Sequence, residues 1–361
     1  MNAARLWTLV RLELHQRVRS VAWYVLLGVF GLLLIGATFL SFMAFGGEER
    51  WGPGVYSTVV YITLLLVLLV SPTLSGNSIN GDRDAATLAS VQVTLATTSE
   101  ILFGKFIAAW ITGLAFVVVA APFLAISATS GDVHPATALV SLLVLVLEAG
   151  IVAAIGVALS GIMSRPLFSV ATTYLVVAAL AVGTAIAFGL VGSAVTSEVT
   201  VTTRDYVSDT QGEPQCVDDE GPCWDDPERM VCGEPTTYTY RVGRYDTVWW
   251  LLSANPFVIL TDATPVQFDR DGNVNDLFGQ FKVGIRYAQM PPDLEESWDA
   301  CAPYAEQPED YQTPEELLAE TIPSWFVGLG LQIVLAVGLM WGAWARTRTP
   351  ARALPQGTRI A

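Results

Sequence analysis

Three sets of residues carry whatever chemistry this chain performs. The first is Asp82, Arg83 and Asp84, in a short polar stretch between two long apolar runs, SPTLSGNSINGDRDAATLASVQVTLATTSEILFGKFIAAW over residues 71–110. Residues 85–93 are predicted helical, because Ala85, Leu88, Ala89 and Gln92 share one face at the i, i+3, i+4 spacing. Asp82 or Asp84 can cap that helix and favour its positive end. Thr97, Thr98 and Ser99 break it, and Glu100 opens the next helix with Ser99 as the expected N-cap. The second set is Glu148, a lone carboxylate deep in an apolar run, with Asn77 and Gln332 as weaker cases. A carboxylate at a bilayer centre costs about 2.5–3.5 kcal/mol on insertion scales, so it must face other helices or a wet cavity. That leaves a place on a substrate or proton path, or a structural hydrogen bond to a neighbouring Ser, Thr or Tyr. The third set is Cys216, Cys223, Cys232 and Cys301.

All four cysteines lie in one acidic segment and none in an apolar run, which argues for two disulfides in an oxidising compartment. The alternative, a zinc site, has no C-x-x-C spacing to support it, so no metal is expected. Three connectivities remain open. The run DRDGNVND at 269–276 has the composition of a calcium loop. With Gly272 at the turn position, however, the first and twelfth ligands become Gln267 and Phe278, and a hairpin turn at Asp271 and Gly272 accounts for it better. Gly104 and Lys105 stand in FGKF without the upstream Gly or the following Ser or Thr of a phosphate-binding loop. His15 and His134 fall on opposite sides of the expected topology. No G-x-S-x-G, H-E-x-x-H or paired intramembrane carboxylates appear, so the chain is not expected to be an enzyme and needs no cofactor of its own.

With 52% hydrophobic and 15% charged residues, the chain reads as an all-α polytopic membrane protein. Its net charge of −15 is segregated: residues 196–322 hold 26 of the 34 acidic residues and 7 of the 19 basic ones. No basic clustering suggests nucleic acid. Residues 1–20 form an amphipathic interfacial helix with Ala3, Leu6, Val10 and Leu14 on one stripe and Trp7 at the interface. Six runs, near 22–44, 57–79, 102–128, 136–163, 167–192 and 323–345, can each cross about 30 Å of hydrocarbon. The run at 21–45 is longer than a signal-peptide core and is read as retained. The first five helices thus occupy 21–192, with the polar loop at 80–100; the sixth occupies 323–346, followed by a tail at 347–361. Basic residues flanking the runs (Arg17 and Arg19, Arg83, Arg165, Arg346) fall on one side, which the positive-inside rule makes cytoplasmic. Both termini are then inside, and residues 193–322 form a small mixed α/β, disulfide-bonded extracellular domain. Strands are expected over 198–207 and 236–242, and a re-entrant or interfacial segment, too short to span, over 247–263 with Trp249 and Trp250 as anchors. Pro314 opens a short capped helix before the last span.

The sequence DRDAATLASVQVT followed by SEILFGKF resembles the first cytoplasmic loop of type-2 ATP-binding-cassette (ABC) exporter permeases. LSGIMSRPLF at 159–168, ending the fourth run, is similar to the same family at the same place. WWLL followed by NPFVIL, at 249–260, resembles a block before the last span of its actinobacterial-type members. The cysteine-bearing insertion matches no part of that family. The resemblance implies a permease subunit of the bacterial plasma membrane that pairs with a second copy or a paralogue. It also implies a separate ATPase subunit holding ATP and magnesium, to which Asp82, Arg83, Asp84, Leu88 and Gln92 would couple. Several spans lack polar residues, so a lipid-like or amphipathic cargo moved outward is expected, with Glu148, Asn77 and Gln332 along its path. An alternative keeps the ATPase but no cargo, the permease passing mechanical force through the exterior domain to an envelope partner. A third reading, a membrane-anchored receptor or adhesin, predicts no ATPase.

Overall fold

The computed structural model describes residues 2–47, 51–84, 97–130, 133–208, 213, 215–218, 223, 229–268, 272–274, 276–302 and 312–347. Among them, six helices are long and apolar enough to cross a membrane: Val21–Phe45, Trp51–Asp84, Thr98–Thr129, Pro135–Ile162, Pro166–Ala194 and Trp325–Thr347. They coincide with the six apolar runs to within a few residues, except that the second starts at Trp51 rather than near residue 57. Gly52, Pro53 and Gly54 precede the expected run, yet all three are buried in the first turn of the helix. A Cβ on Gly54 would meet the Phe45 ring at 2.7 Å, so close packing there holds residues that would otherwise break the helix.

In chain order the elements are α1 (Ala3–Val18), α2 (Val21–Phe45), α3 (Trp51–Ser75), α4 (Asn80–Asp84), α5 (Thr98–Ser130), α6 (Pro135–Ile162) and α7 (Pro166–Ala178). A π-helical turn (Ala179–Gly183) joins α7 to α8 (Thr184–Ala194), and β1 (Thr196–Arg204) and β2 (Thr236–Gly243) follow. The rest is α9 (Trp250–Ser253), α10 (Pro256–Ala263), α11 (Leu277–Tyr287), β3 (Glu295–Asp299), α12 (Pro314–Glu320) and α13 (Trp325–Thr347). Several helices begin with Pro after a capping residue: His134 Nδ1 accepts from Ala136 N, Asn255 Oδ1 from Phe257 N, and Thr313 with Glu316 forms a capping box.

The chain divides into two compact units, and residues 250–285 belong with the helical one. That unit comprises Met1–Ala185, Trp250–Ile285 and Ile322–Ala361. It is built around α6, which packs on α3, α5, α7 and α13. The reason is its run of small residues: Ala149, Gly150, Ala153, Ala154, Gly156, Ala158, Ser160 and Gly161 are all buried and let neighbouring backbones approach. A Cβ on Gly156 would lie 1.9 Å from Ser75 Oγ. Phe116 of α5 meets the rings of Trp23 and Phe30 of α2 at 5.4 and 4.9 Å. Segment 250–263 is two short helices docked by polar contacts: Asp262 accepts from Ser324 N and Trp325 N at the start of α13, and Thr261 bonds the Tyr61 hydroxyl.

The other unit comprises Ile186–Trp249 and Arg286–Thr321. Its sheet has the order β2-β1-β3, with β1 antiparallel to β2 (Val199 opposite Tyr240) and parallel to β3 (Thr200 opposite Glu295). Disulfides join Cys216 to Cys223 and Cys232 to Cys301, which settles the connectivity the spacing left open. No strand signal marks β3 in the sequence: Glu, Ser and Asp are poor strand formers, and pairing with β1 imposes the conformation.

Candidate functional site

The polar stretch after the second apolar helix is held at both ends. After α3 the chain turns through Gly76–Ile79, and Ser160 of α6 accepts from Ile79 N and Asn80 N at 2.9 and 3.0 Å, satisfying the start of α4. Arg83 then reaches back to the end of α6. Its guanidinium donates to the carbonyls of Met163 and Gly161 at 3.0 and 3.2 Å and to Asn80 Oδ1 at 3.1 Å. A cation on the last carbonyls of a helix satisfies acceptors the helix leaves open and opposes its dipole.

Asp82 faces the other way. Lys105, two turns into α5 and only 5% exposed, bridges Asp82 at 2.6 Å and Glu13 of α1 at 2.5 Å. One buried ammonium between two carboxylates therefore ties α1, α4 and α5 together. At the far end of the stretch, Thr97 caps α5: its Oγ1 accepts from Glu100 N, and Glu100 Oε2 accepts from Thr97 N at 2.9 Å. Ser99, the expected cap, lies inside the helix. A capping Ser or Thr pairs with a Glu three residues later, and Thr97, not Ser99, stands at that distance from Glu100. Glu100 also accepts from Asn2 N at 2.6 Å, so α1 is fastened to both ends of the stretch.

Of the five residues expected to couple to a partner, Asp82 and Arg83 are thus anchored in the bundle and Asp84 is exposed. Leu88 and Gln92 lie outside the described residues, as does the predicted helix at 85–93. Lys105 and Glu13 were not among the expected site residues. The signal for Lys105 was a lone lysine inside an apolar span, where a cation must find a partner.

Glu148 and Gln332 are brought together and both are buried, at 0% and 1% exposure. Asn77 is not with them: it is exposed in the turn before α4. A groove of about 500 Å³ opens between α5, α6 and α13, lined by Leu102, Phe103, Phe106, Ala154, Val337 and Trp341 among others. Among the described residues no group of three or more His, Cys, Asp or Glu side chains is placed to hold a metal ion. Asp269 and Asp271 of the calcium-like run lie outside the described residues. Gly272 has φ +79°, and Phe268 pairs with Val274 across it, as a turn requires. No family model matches the chain, and no curated protein is similar to it in sequence.

Proposed function

We propose that this chain is the transmembrane permease subunit of an ABC exporter, working as a pair of permeases with a separate ATPase subunit that binds ATP and magnesium. The observation that carries the reading is the double fastening of residues 80–100: Asp82 through Lys105 to Glu13, Arg83 to the end of α6, and Glu100 to Asn2. A short stretch with both ends tied into α1 and the bundle passes on a push from a partner instead of absorbing it. The positive-inside rule puts this stretch and both termini in the cytoplasm and the disulfides outside. The apolar groove beside Phe103 and Trp341 suits an acyl chain, in keeping with a lipid-like or amphipathic cargo moved outward.

The test is co-purification of ATPase activity with the membrane-extracted protein, comparing wild type, D82A/R83A and K105M. The expected result is an ATPase that accompanies wild type and is lost or uncoupled from cargo stimulation in both variants. An ATPase absent from the wild-type preparation refutes the reading. Binding that persists in full, with coupling unchanged, in K105M refutes the role given to the lysine bridge.

A further inference from the structure

Glu148 sits in the middle of α6, fully buried, and neither of its carboxyl oxygens accepts a hydrogen bond. The Gln332 amide of α13 lies beside it. Gln332 Nε2 donates to the Ala254 carbonyl at 3.0 Å, while Oε1 is buried with no donor. Two neighbouring side chains thus present three buried oxygens that accept nothing. A carboxylate anion in such a place is an unpaired charge in a medium that cannot solvate it.

Among the described residues, the elements packed against α6 bring no cation to it. On α5, Lys105 is held by Glu13 and Asp82, and Glu100 caps its own helix. On α3, Tyr56 bonds Ser141 and Tyr61 bonds Thr261. Tyr174 of α7 donates to the Leu69 carbonyl, Asp262 of α10 accepts from the start of α13, and Arg346 of α13 donates to the Ile162 carbonyl. The cluster is short of a single positive charge, and the smallest is a proton.

We propose that Glu148 is a proton-binding site, held as the neutral acid whose hydroxyl completes a polar chain through Gln332 to the Ala254 carbonyl. The next residue extends that chain. Asn255 caps α10 and donates to the Ala181 carbonyl at 2.7 Å and to Thr184 Oγ1 at 3.0 Å, within and just after the π-helical turn of the fifth apolar helix. A π turn leaves carbonyls out of the α-helical ladder, and Asn255 takes one of them up. One O–H on Glu148 therefore joins α6, α13, the 250–263 segment and the π turn. Any rearrangement that parts α6 from α13 admits water to the carboxyl; the O–H bond breaks, the proton passes to water, and closure takes one back. The site needs no ATPase, so it stands or falls apart from the transport reading.

The test is infrared spectroscopy of the full chain in lipid bilayers at pH 8, where Asp276, titrating at about 6, is ionised. The expected result is a protonated-carboxyl carbonyl band in wild type that E148Q abolishes and Q332L shifts to higher frequency, as for an acid losing its hydrogen-bond partner. The proposal is overturned by absence of the band, by its survival in E148Q, or by its loss when sodium replaces choline in the buffer, which marks a metal-cation site. A band unmoved in Q332L overturns the chain through Gln332. Should E148Q not fold, a hydrophobic carbodiimide, which reacts with the protonated acid, tests the wild-type protein directly: an unlabelled Glu148 peptide refutes the proposal.

Discussion

The helical unit and the sheet unit of this chain are each stabilised from within, by opposite means. In the helical unit, Val59, Val60, Leu64, Phe116, Leu145 and Val152 form a continuous apolar core, and the small residues of α6 bring the backbones together. Polar contacts there fasten helix ends and turns to that core, as Ser160 does for the start of α4 and Lys105 does for α1, α4 and α5. In the sheet unit, β1 buries only Val199 and Val201, and six of the eight β2 residues are exposed. What holds it is main-chain pairing, Thr–Thr contacts between Thr202 and Thr237 and between Thr203 and Thr236, the Arg244–Asp246 ion pair, and two disulfides. A unit with so small a core cannot offset chain entropy by burial alone, so covalent links carry the difference. The lesson is that a mean hydropathy of +0.48 and a net charge of −15 describe neither unit.

If that contrast is right, reduction should act on one unit alone. The Cys232–Cys301 bridge closes a separation of 69 residues. Removing it with a C232S/C301S pair should cost the sheet unit about 4 kcal/mol by the chain-entropy relation. Hydrogen exchange of the β1 amides should rise accordingly while α6 stays protected; loss of protection in both would break the contrast. The reverse experiment crowds the helical unit. Gly156→Leu drives a side chain into Ser75 and should lower bundle stability by about 3 kcal/mol, with the disulfides intact. Gly36→Leu in α2 is the control, because nothing lies within 4 Å of its Cβ position. Thermal unfolding in detergent reads both. A large loss at Gly36 would show that another surface packs on the first apolar helix.

Where apolar composition and length decide structure, the sequence was legible: all six long helices stand where their runs predicted them. Burial within them was not. The fourth and fifth are similarly apolar, yet most of the one and little of the other is buried inside the protein. Gly and Ala permit close approach, but partners far along the chain decide which helix receives it. The same limit hid Lys105: FGKF read as an incomplete phosphate-binding loop, because Glu13, its partner, lies 92 residues earlier. Strands β1 and β2 were legible through β-branched alternation, whereas β3 exists only because β1 offers it an edge. Asn255 and Pro256 divide the WWLL–NPFVIL block into α9 and α10. That Asn255 would also take up a carbonyl of the π turn depends on a contact 74 residues away.

Acid separates the units most finely, because each has a carboxylate displaced in a different direction. Asp276 lies just before α11, is 5% exposed, and accepts from Gly279 N at 2.7 Å. Burial pushes its carboxyl up to about 6 from an ordinary value of 3.8, although that hydrogen bond and the nearby Lys282 oppose the shift. The folded state then holds this proton more tightly than the unfolded chain. Its contribution is greatest below pH 3.8, declines as pH rises from 3.8 to about 6, and is flat above. Acidifying from pH 7 to 4 should therefore stabilise the helical unit by on the order of 2 kcal/mol. Asp276→Asn keeps the cap and should remove the dependence. Asp246 in the sheet unit runs the other way: the bond to the Arg244 guanidinium holds its carboxyl below the ordinary range. Its contribution is complete above pH 3.8 and is lost as pH falls through the depressed value. Hydrogen exchange, corrected for intrinsic rates, should thus show α11 gaining protection between pH 7 and 4 with β1 unchanged, and β1 losing protection only below that. Parallel responses in the two segments would mean that they unfold as one body.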